Sequence, residues 1–108
     1  MRESYTAAIE RNVVCAADFA SEPYEAAWAD EAIFFIRVLE PRPRGKLKFT
    51  AEISPDGMRW CPEGTVCEIG EGETLGFLRV SHFGGWLRIR RLDKTRAAPK
   101  VIVYLNLK

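Results

Sequence analysis

Trp86, Arg88 and Arg90 stand at alternate positions of Gly84-Gly-Trp-Leu-Arg-Ile-Arg90, and in an extended chain alternate side chains share one face. An indole and two guanidiniums displayed together could hold a sugar ring, a carboxylated glycan or a phosphate. Trp60, closing the segment Ser54-Pro-Asp-Gly-Met-Arg-Trp60, is the fourth candidate ligand-binding residue. Two other arrangements account for the same arginines. They could pair across their own sheet with acidic residues, since opposite cross-strand charges are mildly stabilising. They could also form the basic face of one subunit laid against an acidic face of the next. The charge pattern leaves all three open: residues 79–100 carry +6, whereas Glu63, Glu68, Glu71 and Glu73 give residues 63–73 a charge of −4.

Chemistry beyond binding finds little footing. His82 is the one histidine, beside the Gly84-Gly85 turn, and no spaced Ser or Asp partner is legible. Cys61 and Cys67 have five residues between them, where zinc knuckles use two to four. A Cys61–Cys67 bridge across a hairpin is an alternative in an oxidising compartment, and buried, inert thiols are the default. Glu68, Glu71 and Glu73 read as a solvated, glycine-punctuated edge in place of an acid/base pair. Gly70-Glu-Gly72 and Gly84-Gly85 lack the lysine and following helix of a phosphate-cradling loop. The expectation is a protein that is not an enzyme, with no catalytic residue, no metal and no cofactor.

The elements that must position these residues read as strands. Leu47, Phe49, Ala51 and Ile53 alternate with Lys46, Lys48, Thr50 and Glu52, the pattern of a strand with one wet face. Val101, Val103, Leu105 and Leu107 alternate with the less polar set Ile102, Tyr104 and Asn106. Ala32–Leu39 is apolar on both faces and stops at Glu40-Pro-Arg-Pro, as a central strand ended by prolines would. Leu75–Val80 and Trp86–Leu92, joined by His82-Phe-Gly-Gly85, read as a hairpin. Thr65–Ile69, Asn12–Phe19 and Tyr24–Trp28 complete a set of seven or eight strands. Residues 21–30 are open to a second reading, a short helix capped near Ser21 with Pro23 in its first turn. Ser54–Trp60 reads as a hairpin tip, with Pro55 presetting φ and Asp56-Gly57 permitting a tight turn. It lacks the residue between Asp and Gly of the sialidase-type Asp-box and occurs once, so no propeller or glycosidase is inferred from it.

The fold class that follows is all-β, a two-sheet antiparallel β-sandwich of jelly-roll or immunoglobulin-like topology, forming a single domain over residues 1–108. A mass of 12.3 kDa implies about 17,800 Å² exposed unfolded and about 6,100 Å² folded, so one core suffices without staples. With 16 Lys and Arg against 15 Asp and Glu, the chain is not built to neutralise phosphate, and no nucleic acid partner is expected. Glu3, Glu10, Arg11 and Asp18 interrupt the apolar stretches of the first twenty residues, leaving no signal-peptide core. Nothing reaches the roughly 20 apolar residues of a membrane span, and synthesis in the cytoplasm is expected. The apolar strand Val101–Leu107 reads as the end of a complete domain.

Ser54–Trp60 and Gly84–Arg90 together resemble small β-sandwich modules of phage tails, prophage-derived particles and bacterial surface proteins. In these modules a strand ends in a Ser-Pro-Asp-Gly-x-x-Trp-like hairpin, and a late strand carries Gly-x-Trp/Tyr-Leu-Arg-x-Arg. The resemblance covers about 14 of the 108 residues. It implies a structural or receptor-contacting accessory module and transfers no catalytic residue. The expected function is therefore a self-associating structural or assembly subunit, a homo-oligomer that contacts other particle subunits. The two-sided apolar strand, the half-apolar face of Ile102 and Tyr104, and the segregated charge would all be satisfied by a subunit contact. The alternative is a carbohydrate-binding module using Trp86, Arg88, Arg90 and Trp60, with a glycan as partner.

Overall fold

Apolar side chains at every second position must be buried on one side only, and two sheets laid face to face do this for eight strands at once. A computed structural model describes residues 5–108, which form β1 (Tyr5–Val14), β2 (Tyr24–Glu25), β3 (Glu31–Val38), β4 (Leu47–Ser54), β5 (Cys61–Ile69), β6 (Leu75–Ser81), β7 (Trp86–Arg91) and β8 (Lys100–Leu107). Glu3, one of the charges noted near the start, lies outside the described residues. Sheet A has the order β1-β8-β3-β6 and sheet B the order β2-β7-β4-β5, every pair antiparallel. The pairs β1–β8, β2–β7, β3–β6 and β4–β5 are nested, as in one long hairpin rolled over on itself. The expected all-β, two-sheet sandwich is what forms.

The core lies between the sheets. Phe34 and Ile36 of β3, and Val103 and Leu105 of β8, meet Leu47 and Phe49 of β4 and Leu87 and Ile89 of β7, all fully buried. Ala32–Leu39 is central as expected, with β8 on one side and β6 on the other.

Four local expectations are corrected. The first strand runs over Tyr5–Val14, not Asn12–Phe19. Two register shifts against β8 and a left-handed Asn12 (φ 52°) break its alternation, and residues 16–19 close a turn through Phe19 N–H to Ala16 O at 3.0 Å. The strand at Tyr24 is only two residues long, and the segment before it is neither helix nor ladder. Ser21 is buried there and takes part in pairing itself, its Oγ accepting the Ile89 N–H at 2.9 Å. His82–Gly85 is not a hairpin turn but an arch, since β6 belongs to sheet A and β7 to sheet B. Buried Phe83 plugs the core from the arch, and His82 (φ 54°) and Gly84 (φ 73°) supply the left-handed steps. The wet face of β4 is wet only at Lys48, because Thr50 and Glu52 are buried beneath side chains described below. The default reading of Cys61 and Cys67 as unbridged thiols is what the structure has, although Cys61 is exposed; the two stand six positions apart along β5. Six residues of strand span about 20 Å, far beyond the roughly 7 Å between Cα atoms that a disulfide tolerates.

Candidate binding surfaces

The β4–β5 hairpin is built by Ser54 and Asp56. Ser54 Oγ accepts the Gly57 N–H at 2.8 Å, and Asp56 Oδ1 accepts the N–H groups of Met58 and Arg59 at 2.9 and 2.8 Å. These backbone donors, first that of Arg59, together with the Arg59 guanidinium, hold the Asp56 carboxyl down at about 2. Gly57 is left-handed (φ 78°) and lies flat on the Trp86 indole, where a Cβ would stand 3.2 Å from the ring. The resulting rigid tip covers one face of Trp86 and delivers Trp60 back onto the outside of sheet B.

There Trp86, Arg88 and Arg90 share the outer face of β7, as the alternation requires, all half-buried. Arg88 Nε donates to Glu52 Oε1 at 2.7 Å, and its guanidinium sits 4.3 Å from the centre of the Trp60 ring. Trp60 and Arg88, 28 positions apart in the sequence, are thus brought together over Glu52. Arg90 lies opposite Thr50, whose hydroxyl donates to Thr65 O at 2.8 Å. Long side chains therefore roof this face, which explains the burial of Thr50 and Glu52.

The basic segment does not pair wholesale with residues 63–73. Arg88 takes Glu52, and Glu68 pairs with Lys46 at 3.4 Å. Arg91 is buried entirely, its Nη2 2.8 Å from Asp93 Oδ2 and its Nη1 donating to Cys15 O and Ala97 O. Burial alone would raise the Asp93 carboxyl, but hydrogen bonds from Arg91, Lys48 N–H and Thr95, with the Arg91 charge, hold it well below the usual carboxylate range. Burial pushes the neighbouring Cys15 thiol up to about 11. This cluster ties β7 to the ends of β1 and β8 and offers nothing to a ligand.

His82 and Cys61 line one shallow cleft of about 300 Å³, with Ser54 and Phe83. Among the described residues no three His, Cys, Asp or Glu stand together as a metal site would need.

The outer face of sheet A is different in character. Tyr104 of β8, Phe35 of β3 and Phe77 of β6 are directly opposite one another across three strands, and the Phe35 and Phe77 rings are 6.3 Å apart. Ile102, Arg37 and Leu75 form the next row. Phe77 is 50% and Leu75 58% exposed, and Arg79 lies 5.2 Å over the Phe77 ring. The sequence had pointed to Ile102 and Tyr104. Phe77 and Leu75 were missed because their facing could be known only once β6 was paired with β3.

No protein-family model matches the sequence, and no curated protein matches it. Among solved structures the chain is similar to the PBSX exported protein XepA, with a TM-score of 0.69 and 10% identity over 95% of this chain. It spans only 36% of XepA's length. It is also similar to the SPBc2 prophage-derived protein YomS, with a TM-score of 0.65 and 6% identity, covering 97% of this chain and 92% of that one. At such identities the likeness is one of fold. The sandwich expected from the strand pattern is thus shared with prophage proteins, the kind of protein whose modules Ser54–Trp60 and Gly84–Arg90 resemble. No helix among the described residues is long and apolar enough to cross a membrane.

Proposed function

We propose that this chain is a non-enzymatic assembly subunit of a phage-derived particle, made in the cytoplasm and self-associating through the outer face of sheet A. The observation that carries the reading is the row Tyr104–Phe35–Phe77 with Ile102 and Leu75 beside it. A contiguous apolar surface of this kind is stabilised by being covered. The occupant is a second copy, because the charge is complementary within the chain. Arg37 and Arg79 border the apolar row, and Glu68, Glu71 and Glu73 lie on and just after β5, at the adjoining edge of the sandwich. A head-to-tail contact sets the acidic edge of one copy against the arginines of the next, and repetition closes a ring. The nested strand pairing fits the jelly roll of the two topologies expected, and the fold likeness to XepA and YomS supports the particle context.

The test is absolute molar mass by light scattering at 50 and 500 mM salt. Wild type is expected at a multiple of 12.3 kDa, with lower mass at high salt. Phe77→Lys, at a half-exposed position, is expected to be monomeric with an unchanged fold. A wild-type monomer at both salts at high concentration sinks the reading.

The alternative, a carbohydrate-binding module acting through Trp86, Arg88, Arg90 and Trp60, is favoured by the stacking of Arg88 on Trp60. A saccharide there must displace a guanidinium already held by Glu52.

A further inference from the structure

The indole most open to solvent is that of Trp28, 56% exposed, whereas Trp60 and Trp86 are half-buried. Trp28 sits on the turn after β2, closed by Ala29 N–H to Ala26 O at 3.0 Å. Both sides of this turn are pinned. Ala26 is fully buried and its N–H donates to Gly85 O at 2.7 Å, while the N–H groups of Asp30 and Glu31 donate to Lys108 O at 2.9 and 3.0 Å. A large ring is thus held out in water by rigid backbone. It is not alone. Tyr5, at the start of edge strand β1 and 49% exposed, stands edge-on to Trp28 with centroids 6.3 Å apart at 80°. Tyr24, on edge strand β2, lies 6.4 Å from Tyr5 at 34°. The Tyr5 phenol beside it pushes Tyr24 up to about 12. Three rings from two sheets therefore bridge one open side of the sandwich.

A carboxylate stands beside the rings: Glu25, next to Tyr24 on β2, is exposed, and its Oε1 accepts the Ala27 N–H of the Trp28 turn at 3.3 Å. Pyranose rings present C–H faces that pack on aromatic rings and hydroxyls that donate to carboxylates. We infer that Tyr5, Tyr24 and Trp28 form a binding site for a neutral oligosaccharide. The Glu25 carboxylate disfavours carboxylated or phosphorylated glycans, and rings set at 34° and 80° to one another suit a chain whose successive sugars turn. The site is independent of the assembly face, which lies on the outside of sheet A.

Calorimetric titration with maltohexaose, cellohexaose and chitohexaose tests the site, with hexagalacturonate as the acidic comparison. Saturable binding of at least one neutral hexasaccharide is expected, with no binding of hexagalacturonate. Trp28→Ala and Tyr5→Ala should each weaken that binding roughly tenfold or more. Met58→Ala, an exposed change at the β4–β5 tip, should leave it unaltered. Because Tyr5 and Trp28 are about half exposed, both variants should keep the wild-type amide spectrum, and Tyr24→Phe keeps the ring while deleting its hydroxyl. The inference is overturned if none of the three neutral sugars binds, or if binding survives both alanine variants. It is equally overturned if Trp28→Ala alters only the molar mass by light scattering, which would make the cluster a contact between copies.

Discussion

Arg91 shows how one residue can be unreadable from spacing and decisive in the fold. It continues the alternation of β7, yet its guanidinium is the charge taken inside the sandwich, satisfied by Asp93, Thr95 and the carbonyls of Cys15 and Ala97. Removing one partner of such a pair strands the other, at a cost of about 3–5 kcal/mol. Asp93→Asn is therefore expected to lower stability by about that much at pH 7, as read by urea unfolding. The Asp93 carboxyl titrates lower in the folded chain than the unfolded value of about 3.9. Its contribution is hence complete above about pH 4 and is lost as pH falls through the folded value. The gap between wild type and Asp93→Asn should narrow from pH 5 to pH 2; an equal gap at both ends would remove Asp93 from the acid response. In the sequence Arg91 is only one of the basic residues that give positions 79–100 their charge of +6, because charge along a strand says nothing about which carbonyls end nearby.

Among the elements, β5 and β6 belong to different sheets but meet at the sandwich edge, and Gly76 is where they touch. A Cβ there would lie 2.6 Å from Ile69 Cγ1 and 2.8 Å from Cys67 Sγ. Gly76→Ala should cost about 1–3 kcal/mol through overpacking, measured by thermal or urea unfolding, although glycine normally weakens a strand. No change would mean that β5 yields. The alternating strands β4 and β8 were legible almost to the residue, since one face had to be buried, and so was β3, whose run is apolar on both faces and ends at prolines. β1 was not, because its bulges and left-handed Asn12 blunt an exposed edge by destroying the very period that reveals a strand. The arch at His82–Gly85 was misread as a hairpin because paired glycines announce a reversal without saying whether the chain returns to its own sheet. Of the candidate site, Trp86, Arg88 and Arg90 were placed on one face by period two alone. That Trp60 would stack on Arg88 depended on the β4–β5 hairpin turning Trp60 back over sheet B, and the meeting of Tyr5 with Trp28 depended on two sheets coming together.

At the scale of the molecule, both sheets share one core, so unfolding should be a single transition. Thiol counting checks this. Cys61 is exposed, while Cys15 and Cys67 are buried with thiols pushed up by desolvation. One thiol should react promptly with a disulfide reagent in the native protein, and the other two should appear together at the urea concentration where tryptophan fluorescence changes. Staggered appearance of Cys15 and Cys67 would show that the sheets part separately. The place of β8 between β1 and β3 carries a further consequence, one of time. Of the eight strands it leaves the ribosome last, and at roughly 5–20 residues per second synthesis from Tyr5 to Lys100 takes about 5–20 s. For that interval β1 has no ladder to join and the apolar run of β3 has one neighbour fewer than it needs, so the nascent chain is a client for chaperones until its final strand arrives.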